Sequence, residues 1–102
     1  MKRKPKITAY QLRKAKFAVA RDSAMTLEEY LNTLRDTSYK DFIGRTVRWT
    51  GADHEIRNAK YYHQSRVAWA IYFGMDVPAN VLEQYPNIAD DVARIREANG
   101  GA

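Results

Sequence analysis

Apolar side chains recur every three or four residues over most of the chain, which is the periodicity of amphipathic helices. The clearest case follows Thr26, where four apolar residues keep the i, i+3, i+4, i+7 spacing: Leu27, Tyr30, Leu31 and Leu34. Thr26 and Glu29 also have the spacing of a capping box, in which each side chain accepts a hydrogen bond from the other residue's backbone amide. The pattern therefore predicts a helix that begins directly after Thr26.

A first helix is predicted ahead of this one. Thr8 and Gln11 form another capping box, and the helix should end near Asp22 and Ser23. Three residues recur at helical spacing and mark the face that we expect to be buried: Leu12, Ala15 and Val19.

The second half of the chain predicts a long central helix and two shorter ones. The long helix runs from Asp53 to about Phe73, and Gly74 is placed to end it. Its apolar band is wide enough to pack against partners on two sides. A short helix should follow at 78–84, and a last helix at 87–98.

Residues 37–52 fit no single pattern. Thr37 predicts a short helical turn through Phe42, closed by Gly44. Residues 45–50 alternate, with Val47 and Trp49 on one face, as a half-buried strand would. Since no second clear strand is visible, this segment either pairs across a dimer, forms a small wing, or is an extended loop pinned by Trp49. We favour the loop.

The predicted fold class is therefore mainly α, a compact bundle of four to five helices around a central helix 53–73, with one short extended segment near 45–50. A length of 102 residues predicts a single small domain over 1–102, with 1–6 as a basic flexible arm. The chain has no Cys, which excludes disulfides, thiol catalysis and Cys-ligated zinc. The basic start is not followed by an apolar signal core, and the longest apolar run, 67–73, is far too short for a membrane helix. We expect a soluble cytoplasmic protein.

Positive charge is concentrated in the first half of the chain. The net charge of +5 combines a +7 half (1–50) with a −2 half (51–102). Residues 1–21 carry eight cations and no acid until Asp22: Lys2, Arg3, Lys4, Lys6, Arg13, Lys14, Lys16 and Arg21. Such a cluster favours a polyanionic partner, because phosphate contacts release counterions. Arg45 and Arg48 flank Trp49 and add a second cationic spot with a stacking platform, a combination used for unstacked bases. Of the two roles for Trp49, we favour burial in the core.

Candidate catalytic chemistry is sparse. The stretch from His54 resembles the zinc-protease pattern, but Asn58 stands where the second His is required. A tyrosine nucleophile at Tyr61 or Tyr62 would need cations around the phosphate it attacks, which Arg66 and His63 would have to supply. The two tyrosines diverge by about 100° on a helix, and such a site normally draws on several basic residues from a larger fold, so core and surface packing is the better explanation. We expect no catalytic residue, no metal site and no cofactor.

The first two helices have nearly the spacing of a helix-turn-helix motif. However, the supposed reading helix opens with Glu28 and Glu29, and phosphates would repel two carboxylates there. The first helix and its arm are therefore the better candidates for contact with a nucleic-acid backbone.

The stretch 63–88 resembles a recurrent helical module of phage- and plasmid-borne proteins. The shared features are a helix that ends in Gly74, then Val77-Pro78, the pair Val81-Leu82, and Tyr85-Pro86 before an aliphatic residue. They cover about a quarter of the chain and carry packing and turn residues but no catalytic group. The resemblance implies an origin on a mobile genetic element.

These features together predict a small, non-enzymatic accessory or regulatory protein that associates with nucleic acid through its basic N-terminal arm and helix. The main alternative is a protein-binding inhibitor, such as a phage factor that blocks a host or defence nucleoprotein complex, for example a CRISPR effector. There the basic face would meet an acidic surface or occlude a nucleic-acid channel. A third possibility is a structural subunit that forms homo-oligomers through the segment 45–50.

Overall fold

Five helices and a two-stranded antiparallel sheet make up the computed structural model, which describes residues 9–99. In chain order these elements are α1 (Ala9–Ser23), α2 (Leu27–Leu34), β1 (Ser38–Lys40), β2 (Thr46–Arg48), α3 (Asp53–Tyr72), α4 (Ala79–Leu82) and α5 (Ile88–Ala98). The mainly α class and the central position of α3 are confirmed, since α1 and α5 both pack on it. The basic arm and the Thr8 cap lie outside the described residues. Among residues 9–99, no helix is both long and apolar enough to cross a membrane.

Two predicted helix boundaries are confirmed in atomic detail. Thr26 Oγ1 accepts the Glu29 amide at 3.2 Å, and Glu29 Oε1 accepts the Thr26 amide at 2.9 Å, so the capping box of α2 is complete. At the end of α3, Gly74 has φ +78°, a conformation that glycine adopts without strain. The Met75 amide then reaches the Ala70 carbonyl, which closes the helix in a Schellman turn.

The middle of the chain differs from the prediction. The short helix expected between Thr37 and Phe42 is wrong, because Ser38–Lys40 is strand β1. It pairs with β2 in antiparallel register, Tyr39 opposite Val47, so the loop that we favoured for 45–50 is also wrong. The structure instead adopts the second alternative, a small wing that consists of the β1–β2 hairpin. The partner strand has only three residues, too few to display an alternation in the sequence.

The main core lies between α3 and the two helices that follow it. Its buried apolar residues are Val67, Ala68, Val81, Tyr85, Ile88 and Val92. Leu82, which follows the buried Val81, is exposed. The larger correction concerns α1, where only Val19 of the predicted apolar face is buried, whereas Leu12 is 41% exposed and Ala15 is also exposed.

His63 connects this core to the turn between α1 and α2. Its fully buried ring places Nδ1 2.6 Å from the Tyr85 hydroxyl and Nε2 2.7 Å from the Met25 carbonyl oxygen. A carbonyl only accepts, so Nε2 carries the proton and donates, and in the neutral ring Nδ1 accepts from Tyr85. Burial, followed by the influence of Tyr30, raises the pKa of Tyr85 to about 12, which keeps this hydroxyl protonated.

Candidate nucleic-acid interface

Helix α1 is anchored at its C-terminal half and projects at its N-terminal half. Asp22 is buried and accepts from Arg66 of α3 at 3.4 Å, while Lys16 Nζ lies 5.0 Å from the centre of the Phe73 ring. These two contacts place α1 antiparallel to α3. The residues before Lys16 therefore extend past the C-terminal end of α3, and every residue from 10 to 17 is exposed.

One side of α1 presents a stripe of cations and aromatic rings, which we call the α1 stripe: Tyr10, Arg13, Lys14, Phe17 and Arg21. Tyr10, Lys14, Phe17 and Arg21 follow at intervals of four, three and four residues, so they lie on one side of the helix. Tyr10 is 64% exposed and Phe17 is 70% exposed. Arg13 borders both rings. This side of α1 contains no acid.

The cations predicted for this surface are not equivalent. Arg13 and Lys14 are exposed, and the Lys14 ammonium lies 5.9 Å from the centre of the Tyr10 ring. Lys16 points towards α3, where it contacts Phe73. Arg21 is exposed but donates from Nε to Asp22 at 3.0 Å. Arg13 and Lys14 are thus the two cations of α1 placed best for a phosphate. The arm cations Lys2, Arg3, Lys4 and Lys6 lie outside the described residues.

The predicted second cationic spot lies on the β1–β2 hairpin, where each arginine is paired with a carboxylate. Arg45 Nε donates to Asp41 at 2.8 Å, and Arg48 Nη2 donates to Asp36 at 2.7 Å. Both arginines remain largely exposed, and surface pairs of this kind contribute only about 0–1 kcal/mol. The hairpin therefore offers less uncompensated charge than the sequence indicated.

Trp49 follows β2 and is half-buried rather than displayed as a free platform. It lines a groove of about 490 Å³ together with Leu31 and Ile56, and two acids, Glu28 and Asp36, border the same groove. The ring also lies close to Gly51, where an added Cβ would meet it at 3.5 Å. Arg35 lines the groove as well, so its charge is mixed. Neither Arg45 nor Arg48 lines it, so the structure does not combine Trp49, Arg45 and Arg48 into one site.

The tip of the hairpin presents two apolar side chains on an ordered loop. Phe42 is 97% exposed and Ile43 is 59% exposed. The Asp41 carboxylate accepts from the amides of Ile43 and Arg45 at 3.1 and 2.9 Å, and Gly44 closes the turn with φ +85°. Partial burial alone would raise the pKa of Asp41, but these hydrogen bonds outweigh it and lower the pKa. The tip is a second exposed surface, separate from the α1 stripe.

Glu55 fastens the hairpin to the first turn of α3. Its carboxylate accepts from the Tyr39 hydroxyl at 2.6 Å, from the hydroxyl and amide of Thr50 at 2.7 and 3.0 Å, and from the Ala52 amide at 3.1 Å. The Tyr39 hydrogen bond, then that of the Thr50 hydroxyl, lowers the pKa of Glu55 to about 2. The charged form of this residue thus positions the wing.

Glu55 should make the stability of the protein sensitive to acid. Because its pKa is lowered in the folded state, its contribution is complete above the ordinary value of 4.5 and is lost as the pH falls towards 2. We expect the free energy of unfolding, measured by urea titration, to fall between about pH 5 and pH 3, and to fall less in Glu55→Gln. Glu28→Gln, at an exposed position on α2, is the control and should follow the wild-type curve. Parallel curves for wild type and Glu55→Gln would contradict this role.

The residues considered for catalysis do not converge in the structure. Tyr61 and Tyr62 are exposed with their rings 5.9 Å apart, but Arg66 is engaged by the buried Asp22 and His63 lies in the core. Within residues 9–99, no group of three or more His, Asp or Glu side chains is arranged to hold a metal ion.

Four exposed residues of these surfaces were missed from the sequence: Tyr10, Phe17, Phe42 and Ile43. A signal existed for the hairpin tip, since Asp at the first and Gly at the fourth position is typical of a type I turn. A signal existed for the α1 stripe as well, because its two rings recur seven residues apart among cations.

Comparisons of the chain with models of protein families, with curated proteins and with solved structures found no match.

Proposed function

We propose that this protein is a non-enzymatic accessory or regulatory factor that associates with nucleic acid through the projecting half of α1 and the basic arm that precedes it. The observation that carries the proposal is the exposure of every residue from 10 to 17 on a helix with no acid in that stretch. A helix that packs along its whole length buries one face. In this half of α1 the side chains remain exposed, although Lys16 reaches Phe73 of α3.

Charge selects the class of partner. Eight cations precede the first acid of the chain, Asp22, and in α1 that acid is buried against Arg66 instead of lying beside Arg13 or Lys14. A phosphate backbone gains from such a surface because each phosphate that is neutralised releases a counterion. The resemblance of residues 63–88 to modules of phage- and plasmid-borne proteins is in keeping with a small factor of this kind.

The test is direct binding to a labelled oligonucleotide, followed by fluorescence anisotropy. We expect binding at about 50 mM salt that weakens with a slope of log K against log salt steeper than about −2, since each phosphate contact on a single strand contributes about −0.7. An absence of binding at about 50 mM salt would contradict the proposed function.

A second candidate function, a protein-binding inhibitor that blocks a host or defence nucleoprotein complex such as a CRISPR effector, is favoured by the hairpin tip. Phe42 and Ile43 are held out by a hydrogen-bonded loop, and exposed aromatic anchors of this kind dominate many protein interfaces. This function predicts a complex with a host protein that survives nuclease treatment and that is lost in Phe42→Ala. A structural homo-oligomer, the third possibility, would instead give a mass well above 11.8 kDa in light scattering.

A further inference from the structure

We infer that the α1 stripe selects single-stranded over double-stranded nucleic acid, with Tyr10 and Phe17 stacking on unpaired bases and Arg13 and Lys14 contacting the phosphates between them. This inference rests on the proposed function and names the substrate class of the same surface.

The two rings provide the first part of the argument. Tyr10 and Phe17 are 64% and 70% exposed on one side of a helix, and neither ring belongs to the core. Single exposed aromatic residues are ordinary on protein surfaces, but these two share a face with three cations and no acid. Aromatic faces interleaved with positive charge are the typical means of binding single strands without reading their sequence.

Spacing provides the second part. Seven residues at a rise of about 1.5 Å separate the two rings by about 10 Å along the helix axis. The bases of one strand follow at about 3.4 Å, so the interval corresponds to about three base steps. Arg13 and Lys14 lie between the rings, where the strand that joins two stacked bases carries its phosphates. The order along the helix is ring, two cations, ring, so Arg13 and Lys14 face the phosphates that join the bases stacked on the two rings.

A duplex cannot use the rings in this way. Its base faces are already covered by neighbouring base pairs, so stacking on Tyr10 and Phe17 would first require those pairs to be separated. The cations of α1 would still attract the phosphates of a duplex. We therefore expect the duplex to be bound through charge alone and more weakly than the single strand.

The experiment measures the binding of wild type and of two variants to a single strand of about 12 nucleotides and to the duplex form of the same sequence. The double variant Tyr10→Leu/Phe17→Leu keeps apolar side chains and removes both rings. We expect it to weaken single-strand binding by about 10- to 100-fold, with duplex binding and the salt slope unchanged because no charge is removed. Tyr10→Phe keeps the ring and should bind like wild type. Both variants alter exposed positions, and a thermal melt checks that they remain folded.

Two results would overturn the inference while leaving the proposed function intact: equal affinity of wild type for single strand and duplex, or wild-type affinity of the Leu/Leu variant for the single strand. Failure of the wild type to bind either form at about 50 mM salt would instead remove the proposed function itself.

Discussion

Reversing the charge of Arg13 and Lys14 together (R13E/K14E) is expected to weaken binding to a single-stranded oligonucleotide by about 30- to 300-fold at about 50 mM salt. Both side chains are exposed on the α1 stripe, and within residues 9–99 neither is ion-paired to a carboxylate. Two phosphate contacts contribute about −1.4 to the slope of log K against log salt, so the slope should become shallower by about that amount. Binding should not vanish, since the cations at positions 2–6 remain.

A matched control separates a local effect from a change in overall charge. The variant R57E/K60E reverses two exposed cations of α3 and lowers the net charge by the same amount. We expect it to bind within about threefold of wild type, because long-range attraction is largely screened beyond the Debye length, which is about 14 Å at about 50 mM salt. Equal losses in the two variants would mean that net charge, rather than the α1 stripe, governs binding.

The largest effect on stability is expected at His63. His63→Ala should lower the free energy of unfolding by about 3–5 kcal/mol, because it leaves a cavity and also removes the hydrogen-bond partner of the buried Tyr85 hydroxyl and of the partly buried Met25 carbonyl. Tyr85→Phe removes only the hydroxyl that donates to Nδ1 and should cost about 1–2 kcal/mol. Urea titration followed by circular dichroism measures both.

His54 supplies the control on the same helix. It is exposed near the start of α3, so His54→Ala should change the free energy of unfolding by no more than about 0.5 kcal/mol. If His63→Ala were as stable as His54→Ala, the hydrogen-bonded ring would not be the element that joins the α1–α2 turn to the core.

The helix boundaries could be predicted because their signals are local. Thr26 and Glu29 form their capping box within four residues, and Gly74 ends α3 through its own backbone conformation. The order and the number of helices followed from the same short-range patterns.

The wing and the projecting half of α1 could not be predicted because both depend on distant residues. Strand β1 is held in place by β2 and by Glu55. Glu55 lies 16 residues beyond Tyr39 and accepts a hydrogen bond from the Tyr39 hydroxyl. Leu12 and Ala15 have the spacing of a buried face, but α1 extends past the end of α3, so within residues 9–99 both stay exposed. Periodicity shows which face a helix can bury and not how far its neighbour reaches.

The candidate interface could be predicted only in part, because the contacts of its side chains also depend on distant residues. The cluster of cations is visible in the sequence, whereas its division into exposed and engaged side chains is not. Arg13 and Lys14 remain accessible, while Lys16 turns to Phe73 and Arg45 is paired with Asp41.

The most direct measurement is a map of backbone amide NMR shifts as a single-stranded oligonucleotide is added to the ¹⁵N-labelled protein. The account predicts that the largest shifts within residues 9–99 lie between 10 and 21, with the amides of α5 unchanged. Shifts centred on Phe42 and Ile43, or no shifts in α1 at about 50 mM salt, would contradict it.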